Sequence, residues 1–353
     1  MAVGGGTGLS SLLHGLKPYP QVDITAVVTV TDDGGSSGRL RRDFEVLPPG
    51  DIRNCMVALS EDEALLSRLF QYRFASGRGL KGHSFGNLFL TALTHITGDF
   101  PQAVKLSSEV LAIAGRIYPS TAANVVLEAR LEDGSRLFGE TRISKSRSRI
   151  ERIVLNPRRC RPLKETLEAI AQADLISFGP GSLFTSVAPN LLVQGISRAI
   201  QRSPAVKAYF VNLMWQPGET TGFTAADHVA AIYKHARAKL LDYVVVNTRP
   251  IGESLRRKYA RQRAQPVAND LDRLAAMGLT VIGRDFLEES EKVRHAPEAI
   301  AAVALELAAE GRRRREILIH RRGAEDAEKT SRSALRSLRL RGEPSGRSEV
   351  EPQ

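Results

Sequence analysis

Hydrophobic residues recur along the chain with two alternating periods. Short β-branched runs such as 23–30 and 243–246 predict buried strands of a parallel sheet, and apolar residues spaced three and four apart predict helices. Further strands are predicted at 173–178, 206–211 and 279–282, and helices at 9–16, 51–74, 85–96, 103–113, 225–239 and 268–277. This alternation predicts an α/β fold with a doubly wound, mainly parallel sheet and right-handed crossovers.

Residues 124–156 follow a different pattern. The runs 125–131 and 136–141 flank Asp133-Gly134, a dipeptide typical of tight hairpin turns, and 150–155 could supply a third strand. We interpret this segment as a small antiparallel β excursion, a lid or subdomain, within one α/β domain spanning residues 1–310.

Two glycine-rich turns follow predicted strands. The first is Gly4-Gly5-Gly6-Thr7-Gly8 and the second is Gly179-Pro180-Gly181-Ser182. Glycine allows a close backbone approach to an anion, and a helix N-terminus offers unpaired N–H groups, so both turns predict a phosphorylated ligand. Only Ala2 and Val3 precede the first turn, so we expect either an upstream start or a shortened strand.

Composition limits the class of protein. No apolar stretch is long enough to cross a membrane, and no basic-then-apolar signal opens the chain, which predicts a cytoplasmic protein. Cys55 and Cys160 have no metal-ligand spacing and are interpreted as reduced thiols.

The net charge of +11 lies largely in two segments. Residues 311–353 hold twelve basic and seven acidic residues and are predicted to form a basic, mostly disordered tail, and 142–164 hold nine basic residues against Glu151. Without a helix-turn-helix, zinc-finger or RNP pattern, these charges do not predict specific nucleic-acid binding.

The loop after the second predicted strand concentrates polar groups. Asp32 and Asp33 could hold Mg²⁺ or accept hydrogen bonds from ribose hydroxyls, and Arg39 could pair with phosphate. The alternative is an Asx-type turn with solvated acids. A dinucleotide fingerprint is imperfect here, because Gly6-x-Gly8 leaves Ser11 where a third glycine belongs.

Other polar residues stand at helix entries or strand ends. Asp51 could cap a helix or contact a ligand, and Asn54 follows it in the first turn. His83 could donate to phosphate or act as an acid or base, although it could equally be structural, and Asn87 lies nearby. Asn212 follows a strand, so its side chain is expected at the same sheet edge as the glycine turns.

In their order, these segments resemble the gluconeogenesis-factor family (YvcK type), a sister group of the 2-phospho-L-lactate transferases (CofD type). The resemblance covers residues 3 to about 309. The motifs that carry it are 4–10, 31–39, 48–54, 81–88, 179–183, 216–220 and 224–229.

The resemblance implies a cytoplasmic bacterial protein with a Rossmann-like fold that is needed for normal cell shape on gluconeogenic carbon sources. Some family members bind UDP-sugars such as UDP-N-acetylglucosamine, and Tyr259 and Arg294 look like the family's nucleotide-sugar contacts. A tyrosine can stack on uracil, and an arginine can form two hydrogen bonds to a diphosphate.

Two functions remain open. The first is a non-enzymatic regulatory protein that binds a UDP-sugar or another nucleotide. The alternative is an Mg²⁺-dependent transferase of a phosphorylated acyl group, in which Asp32 and Asp33 would hold the metal. An NAD-type oxidoreductase is disfavoured because the fingerprint is imperfect and a catalytic acid is missing.

No catalytic residue is assigned. A homodimer and binding to cell-wall or morphogenesis proteins are further open hypotheses. The predicted ligand-binding residues are Gly5, Gly6, Thr7, Gly8, Asp32, Asp33, Arg39, Asp51, Asn54, His83, Asn87, Gly179, Gly181, Ser182, Asn212, Tyr259 and Arg294.

Overall fold

A seven-stranded parallel sheet forms the centre of the molecule. The computed structural model describes residues 1–61, 65–146 and 148–341, with side chains as far as residue 320. The strands run in the order β10-β9-β8-β7-β1-β2-β3, and every neighbouring pair is parallel. They are β1 (Ala2–Gly4), β2 (Thr25–Val28), β3 (Arg116–Pro119), β7 (Leu175–Phe178), β8 (Val206–Phe210), β9 (Tyr243–Asn247) and β10 (Thr280–Arg284).

Strand β1 is short but central. All three of its residues are buried, as are all residues of β2 and β7 on either side. Val3 lies beside Val27 on one side and Phe178 on the other. Burial on both faces explains why these strands are continuously apolar rather than alternating.

The chain reverses its direction of winding between β1 and β7. From β1 it proceeds through β2 to β3 at one edge, whereas β7, β8, β9 and β10 follow in order towards the other edge. Loops that leave β1 and β7 therefore diverge over opposite faces of the sheet. A crevice opens between them at the carboxyl ends of the strands, which is where open α/β sheets bind ligands.

Helices cover both faces of the sheet. Helix α1 (Gly6–Leu16) buries Leu9, Leu12, Leu13 and Leu16, as its periodicity predicts. None of the described helices combines the length and the apolar character that a membrane crossing needs. The others are α2 (Gly35–Phe44), α3 (Gly50–Leu59), α4 (Leu65–Gln71), α5 (Phe85–Thr97), α6 (Phe100–Val110), α7 (Glu140–Ile143), α8 (Lys164–Gln172), α9 (Ala188–Leu192), α10 (Ile196–Arg202), α11 (Ala225–Ala236), α12 (Glu253–Arg261), α13 (Leu271–Ala276) and α14 (Pro297–Arg341), with a π-helical turn, Leu183–Val187, before α9.

The helix predicted over 51–74 is interrupted. Helix α3 ends at Leu59, and Ser60 has an extended backbone (φ −65°, ψ 147°). The Ser60 carbonyl accepts a hydrogen bond from Lys17 Nζ at 3.1 Å, and its hydroxyl donates to the Val57 carbonyl. These bonds satisfy polar groups at the helix end. Part of the predicted helix, residues 62–64, lies outside the described residues.

The antiparallel excursion predicted at 124–156 is confirmed. Strands β4 (Val126–Leu131), β5 (Arg136–Phe138) and β6 (Ile150–Asn156) form a sheet in the order β5-β4-β6. Leu127, Ala129 and Ile153 bury its inner face against the main body. A separate hairpin joins β11 (Leu287–Glu289) to β12 (Val293–His295).

The segment predicted to be a disordered tail continues as helix. Helix α14 runs through residue 310 to Arg341 without interruption, and residues 342–353 lie outside the described part. Gly311 packs so closely on the Asp174 carbonyl that a side chain there would overlap it, and Arg315 lies 3.3 Å from the Asp174 carboxylate. Good helix formers such as Arg, Glu, Leu and Ala dominate the segment, which composition alone had marked as polar.

Candidate functional site

The two glycine turns meet at the crevice between β1 and β7. A Cβ atom on Gly8 would overlap the carbonyl of Pro180, and one on Gly5 would lie 2.5 Å from an oxygen of Asp51. Only glycine allows this approach. The turns therefore form one continuous backbone surface that begins at the N-terminus of α1, whose N-cap residue Gly5 provides no side-chain cap.

Hydrogen bonds fix the second turn to the loop after β8. The Gly181 amide donates to Asn212 Oδ1 (3.3 Å), and Asn212 Nδ2 donates to Gln216 Oε1 (3.2 Å). Gln216 Nε2 in turn donates to Ser182 Oγ (2.6 Å). This closed set of bonds positions Asn212, as predicted, at the same edge as the glycine turns.

A cleft of about 1020 Å³ opens over this surface. It collects loops that are far apart in the sequence, with the glycine turns between two walls. The helix-side wall comes from α1, α3 and α4. The strand-side wall comes from the loop after β8, helix α12 and strand β12. The predicted residues that line it are Gly5, Gly6, Thr7, Gly8, Asp51, Asn54, Gly181, Ser182, Asn212, Tyr259 and Arg294.

Asp32 and Asp33 are engaged by different elements. Asp32 Oδ1 accepts a hydrogen bond from the Gly34 amide (2.8 Å), whereas Asp33 Oδ1 accepts from both the amide (2.8 Å) and hydroxyl (2.7 Å) of Thr141. Neither lines the cleft. Across the described ranges, no three Asp, Glu, His or Cys side chains are placed to hold one metal ion. These contacts engage one oxygen, Oδ1, of each carboxylate, and a magnesium site on Asp32 and Asp33 stays a prediction.

Arg39, His83 and Asn87 lie in a separate polar cluster, in which His83 and Asn87 are buried and Arg39 is half-buried. Ser36 Oγ and His83 Nδ1 are 2.9 Å apart, and Asn87 Nδ2 donates to Ser37 Oγ at 3.4 Å. Burial and the nearby Arg39 guanidinium lower the pKa of His83. These residues join the start of α2 to the start of α5 instead of lining the cleft.

Gly179 also lies outside the lining. It adopts a positive φ of 70° and packs against the Phe210 carbonyl. Its role is therefore to allow the backbone conformation of the turn.

Carboxyl groups gather beside the first glycine turn. Burial, reinforced by the charge of Asp32, raises the pKa of Asp51 to about 7, although the Gly6 amide donates a hydrogen bond to its carboxylate. Burial and the same two aspartates raise the pKa of Glu140, which also lines the cleft and whose Oε2 has no hydrogen-bond partner among the described residues. Such carboxyls can hold protons near neutral pH.

Tyr259 and Arg294 lie on the strand-side wall. The Tyr259 hydroxyl accepts a hydrogen bond from the Val293 amide (3.1 Å), which places Arg294 on the neighbouring residue of β12. Arg294 is exposed, pairs in register with Glu288, and lines the cleft with it.

The lining also contains residues that were not predicted as ligand contacts, among them Trp215, Glu140, Arg53 and His14. Trp215 could have been found, because it lies three residues after Asn212 in the same polar turn. Glu140 follows the predicted hairpin and gives no local signal, since its position depends on how the excursion packs.

A second cavity, of about 870 Å³, lies at the opposite edge of the sheet. Met1, Thr25 and Leu175, at the amino ends of β1, β2 and β7, contribute to its lining. Because open α/β sheets bind ligands at carboxyl ends, we assign the candidate site to the larger cleft.

Comparisons with known proteins agree with the resemblance. The family model described as 2-phospho-L-lactate transferase CofD matches residues 1–287. The gluconeogenesis factor of Halalkalibacterium halodurans is 49% identical over 304 residues, covering 86% of this chain and 94% of that protein. The gluconeogenesis factor of Bacillus subtilis (strain 168) is 49% identical over 305 residues, covering 86% and 96%.

The fold is also similar to a solved structure. The crystal structure of a UPF0052 family member from Bacillus halodurans matches with a TM-score of 0.84 and 48% identity, covering 86% of this chain and 97% of that one. The predicted Rossmann-like α/β class is confirmed.

Proposed function

This chain belongs to the gluconeogenesis-factor family within the CofD group, and from that premise we propose that it is a regulatory protein that binds a nucleotide sugar. A UDP-sugar of the UDP-N-acetylglucosamine type would lie in the 1020 Å³ cleft. In this proposal the protein acts in the cytoplasm and supports normal cell shape during growth on gluconeogenic carbon sources.

The meeting of the two glycine turns is the observation that carries the proposal. Their backbone surface, at the N-terminus of α1, suits an anionic diphosphate. Arg294 offers a guanidinium on the adjacent wall, where Tyr259 and Trp215 provide aromatic surface for a nucleobase.

Calorimetry with UDP-N-acetylglucosamine tests the binding. We expect wild-type protein to bind it and Arg294→Ala to weaken affinity about 10- to 100-fold, the range for losing a charged hydrogen bond. The matched control is Arg202→Ala, an exposed arginine on α10 away from the cleft. Absence of heat at millimolar ligand, or equal effects of the two variants, would contradict the proposal.

A deletion strain tests the cellular role. We expect abnormal cell shape on a gluconeogenic carbon source, restored by the wild-type gene but not by the Arg294→Ala gene at equal protein level. Full restoration by that variant would show that the cellular role does not need ligand binding, which would contradict the proposed regulatory function.

A transferase of a phosphorylated acyl group is the second candidate. The CofD match over residues 1–287 favours it, as do Asp51 and Glu140, whose raised pKa values suit proton acceptance beside a phosphate. ³¹P NMR of the protein with UDP-N-acetylglucosamine and Mg²⁺ distinguishes the two functions. Water is the acceptor in this mixture, so signals of UMP together with N-acetylglucosamine 1-phosphate would show that the site cleaves the diphosphate and would favour a transferase. An unchanged spectrum would favour a binding protein.

A further inference from the structure

The helix-side wall of the cleft carries a polar face of α1. Thr7, Ser10, Ser11 and His14 are spaced three and four residues apart, so they share one side of the helix, opposite the buried leucines. All four line the cleft, and the row leads away from the first glycine turn.

Two more helices complete this wall. Helix α3 contributes Asn54, Val57 and Ala58, and α4 contributes Ser67 and Gln71, which are four residues apart. These three helix faces enclose a trough that we define by Ser11, His14, Asn54, Ser67 and Gln71, with Val57 and Ala58 as its apolar floor.

The trough differs chemically from the opposite wall. Apart from Asp51 and Arg53, whose guanidinium contacts Asn54, the described lining residues of these three helices carry hydroxyl, amide, imidazole or apolar groups. Within the described part of the chain, the side chains of His14 and Gln71 make no hydrogen bond, so they are available to a ligand. Asn54 Oδ1 accepts from Arg53, which leaves the Asn54 amide hydrogens free to donate.

We propose that this trough binds the sugar of the nucleotide sugar and sets the specificity for it. The inference rests on the proposed function and adds an orientation to it. With the diphosphate on the glycine turns and the base beside Trp215 and Tyr259 on the strand-side wall, the sugar extends over α1, α3 and α4. Neutral donors and acceptors match sugar hydroxyls, and the small apolar floor accommodates one face of a pyranose ring.

Comparing UDP with UDP-N-acetylglucosamine tests this orientation. We expect wild-type protein to bind the sugar nucleotide more tightly than UDP. His14→Ala, Asn54→Ala and Gln71→Ala should each weaken binding of UDP-N-acetylglucosamine about 2- to 10-fold, the range for one neutral hydrogen bond. Their affinity for UDP should stay within about twofold of the wild type, because UDP does not reach the trough.

Gln201→Ala, an exposed glutamine on α10, is the matched control and should bind both ligands as the wild type does. The orientation is overturned if wild-type protein binds UDP and UDP-N-acetylglucosamine equally, or if all three variants keep the wild-type preference. If wild-type protein binds neither nucleotide, the proposed function itself fails, and the sugar assignment fails with it.

Discussion

The Gly6 amide, at the start of α1, already donates its hydrogen bond to a carboxylate. Asp51 occupies this donor, and its oxygen lies close to Gly5, where the ligand phosphate is proposed to bind. Asp32, Glu140 and Arg53 are the neighbouring charges, so two carboxyls and one guanidinium act on Asp51. A diphosphate must therefore share the turn with Asp51 or replace it.

Asp51 should make stability depend on pH. Its pKa rises from 3.8 to about 7 on folding, so the folded state favours the protonated form. The stabilisation is complete below about pH 4 and is lost as the pH rises through 7. Wild-type protein should therefore lose stability relative to Asp51→Asn as the pH rises. We expect the difference in unfolding free energy between the two proteins to change by about 2–3 kcal/mol from pH 5 to pH 8, measured by urea unfolding.

Asp272→Asn, an exposed change on α13, serves as the control for the pH series and should track the wild type. If the difference between Asp51→Asn and wild type does not change with pH, the carboxyl is already ionised throughout this range.

The close contact between Gly8 and Pro180 predicts that a methyl group at position 8 destabilises the protein. Gly8→Ala would place a methyl group against the Pro180 carbonyl and push the two glycine turns apart. We expect a loss of about 1–3 kcal/mol in unfolding free energy, with weakened UDP-N-acetylglucosamine binding. Gly4→Ala is the comparison, because a Cβ there would meet Leu9 at an ordinary 3.6 Å. Equal stability of the two variants would contradict the proposed tight contact.

Side-chain direction is what the sequence could not provide at this scale. Asp33, His83 and Asn87 do stand at loop or helix-entry positions near the correct edge of the sheet. Their polar atoms nevertheless bind Thr141, Ser36 and Ser37, which are partners that only the tertiary fold brings close. Gly5, Gly6 and Gly8 were predictable because their role depends on the backbone.

Among the elements, the β11–β12 hairpin depends on α12 for its position. The Tyr259 hydroxyl accepts the Val293 amide, and the ring packs with Leu213, Met214 and Leu287 in a small apolar cluster. Tyr259 therefore has a positioning role for Arg294 in addition to the base stacking expected from the family resemblance.

Tyr259→Phe separates these two roles. The variant keeps the ring but loses the hydrogen bond, so we expect unfolding free energy to fall by about 0.5–1.5 kcal/mol and UDP-N-acetylglucosamine affinity to fall a few-fold. Tyr259→Ala should lose more than tenfold in affinity. Tyr72→Phe, at an exposed tyrosine, controls for removal of a hydroxyl. Wild-type affinity and stability in Tyr259→Phe would show that the hydroxyl positions nothing.

Elements were predictable where hydrophobic periodicity dominates. Strands β1, β2, β7, β8, β9 and β10 and helices α1, α5 and α11 match the predicted segments within a few residues, whereas strand β3 was not predicted. Helix α2 was interpreted as a loop because it begins Gly35-Ser36-Ser37-Gly38, a sequence typical of turns. Tertiary contacts of Ser36 with His83 and of Ser37 with Asn87 hold this helix start. Gly38 itself packs on the backbone of Asp33, five residues earlier, where a side chain would not fit.

At the scale of the whole molecule, the sheet and its crevice followed from the alternation of strands and helices. Right-handed crossovers and a single reversal of winding suffice to bring the loops after β1, β7 and β8 to one edge. The arrangement of the cleft walls did not follow, because it depends on where the antiparallel excursion and the β11–β12 hairpin pack.

The single tryptophan of the chain offers a direct measurement of ligand binding. Trp215 lines the cleft, and its indole N–H donates to the Phe223 carbonyl at 2.9 Å. We expect UDP-N-acetylglucosamine to change its fluorescence in a saturable manner, because a stacked base alters the indole environment. With Arg294→Ala the curve should shift to higher ligand concentration, whereas a signal that is linear in ligand would indicate non-specific quenching.

The double hydrogen bond between Asp33 and Thr141 has a mechanical consequence. Thr141 belongs to the first turn of α7, next to Glu140 in the cleft, while Asp33 follows Asp32, whose charge acts on Asp51. Moving α7 away from the loop after β2 would therefore break both bonds. Because Glu140 precedes Thr141 and lines the cleft, a displacement of α7 would also displace a carboxyl group of the cleft.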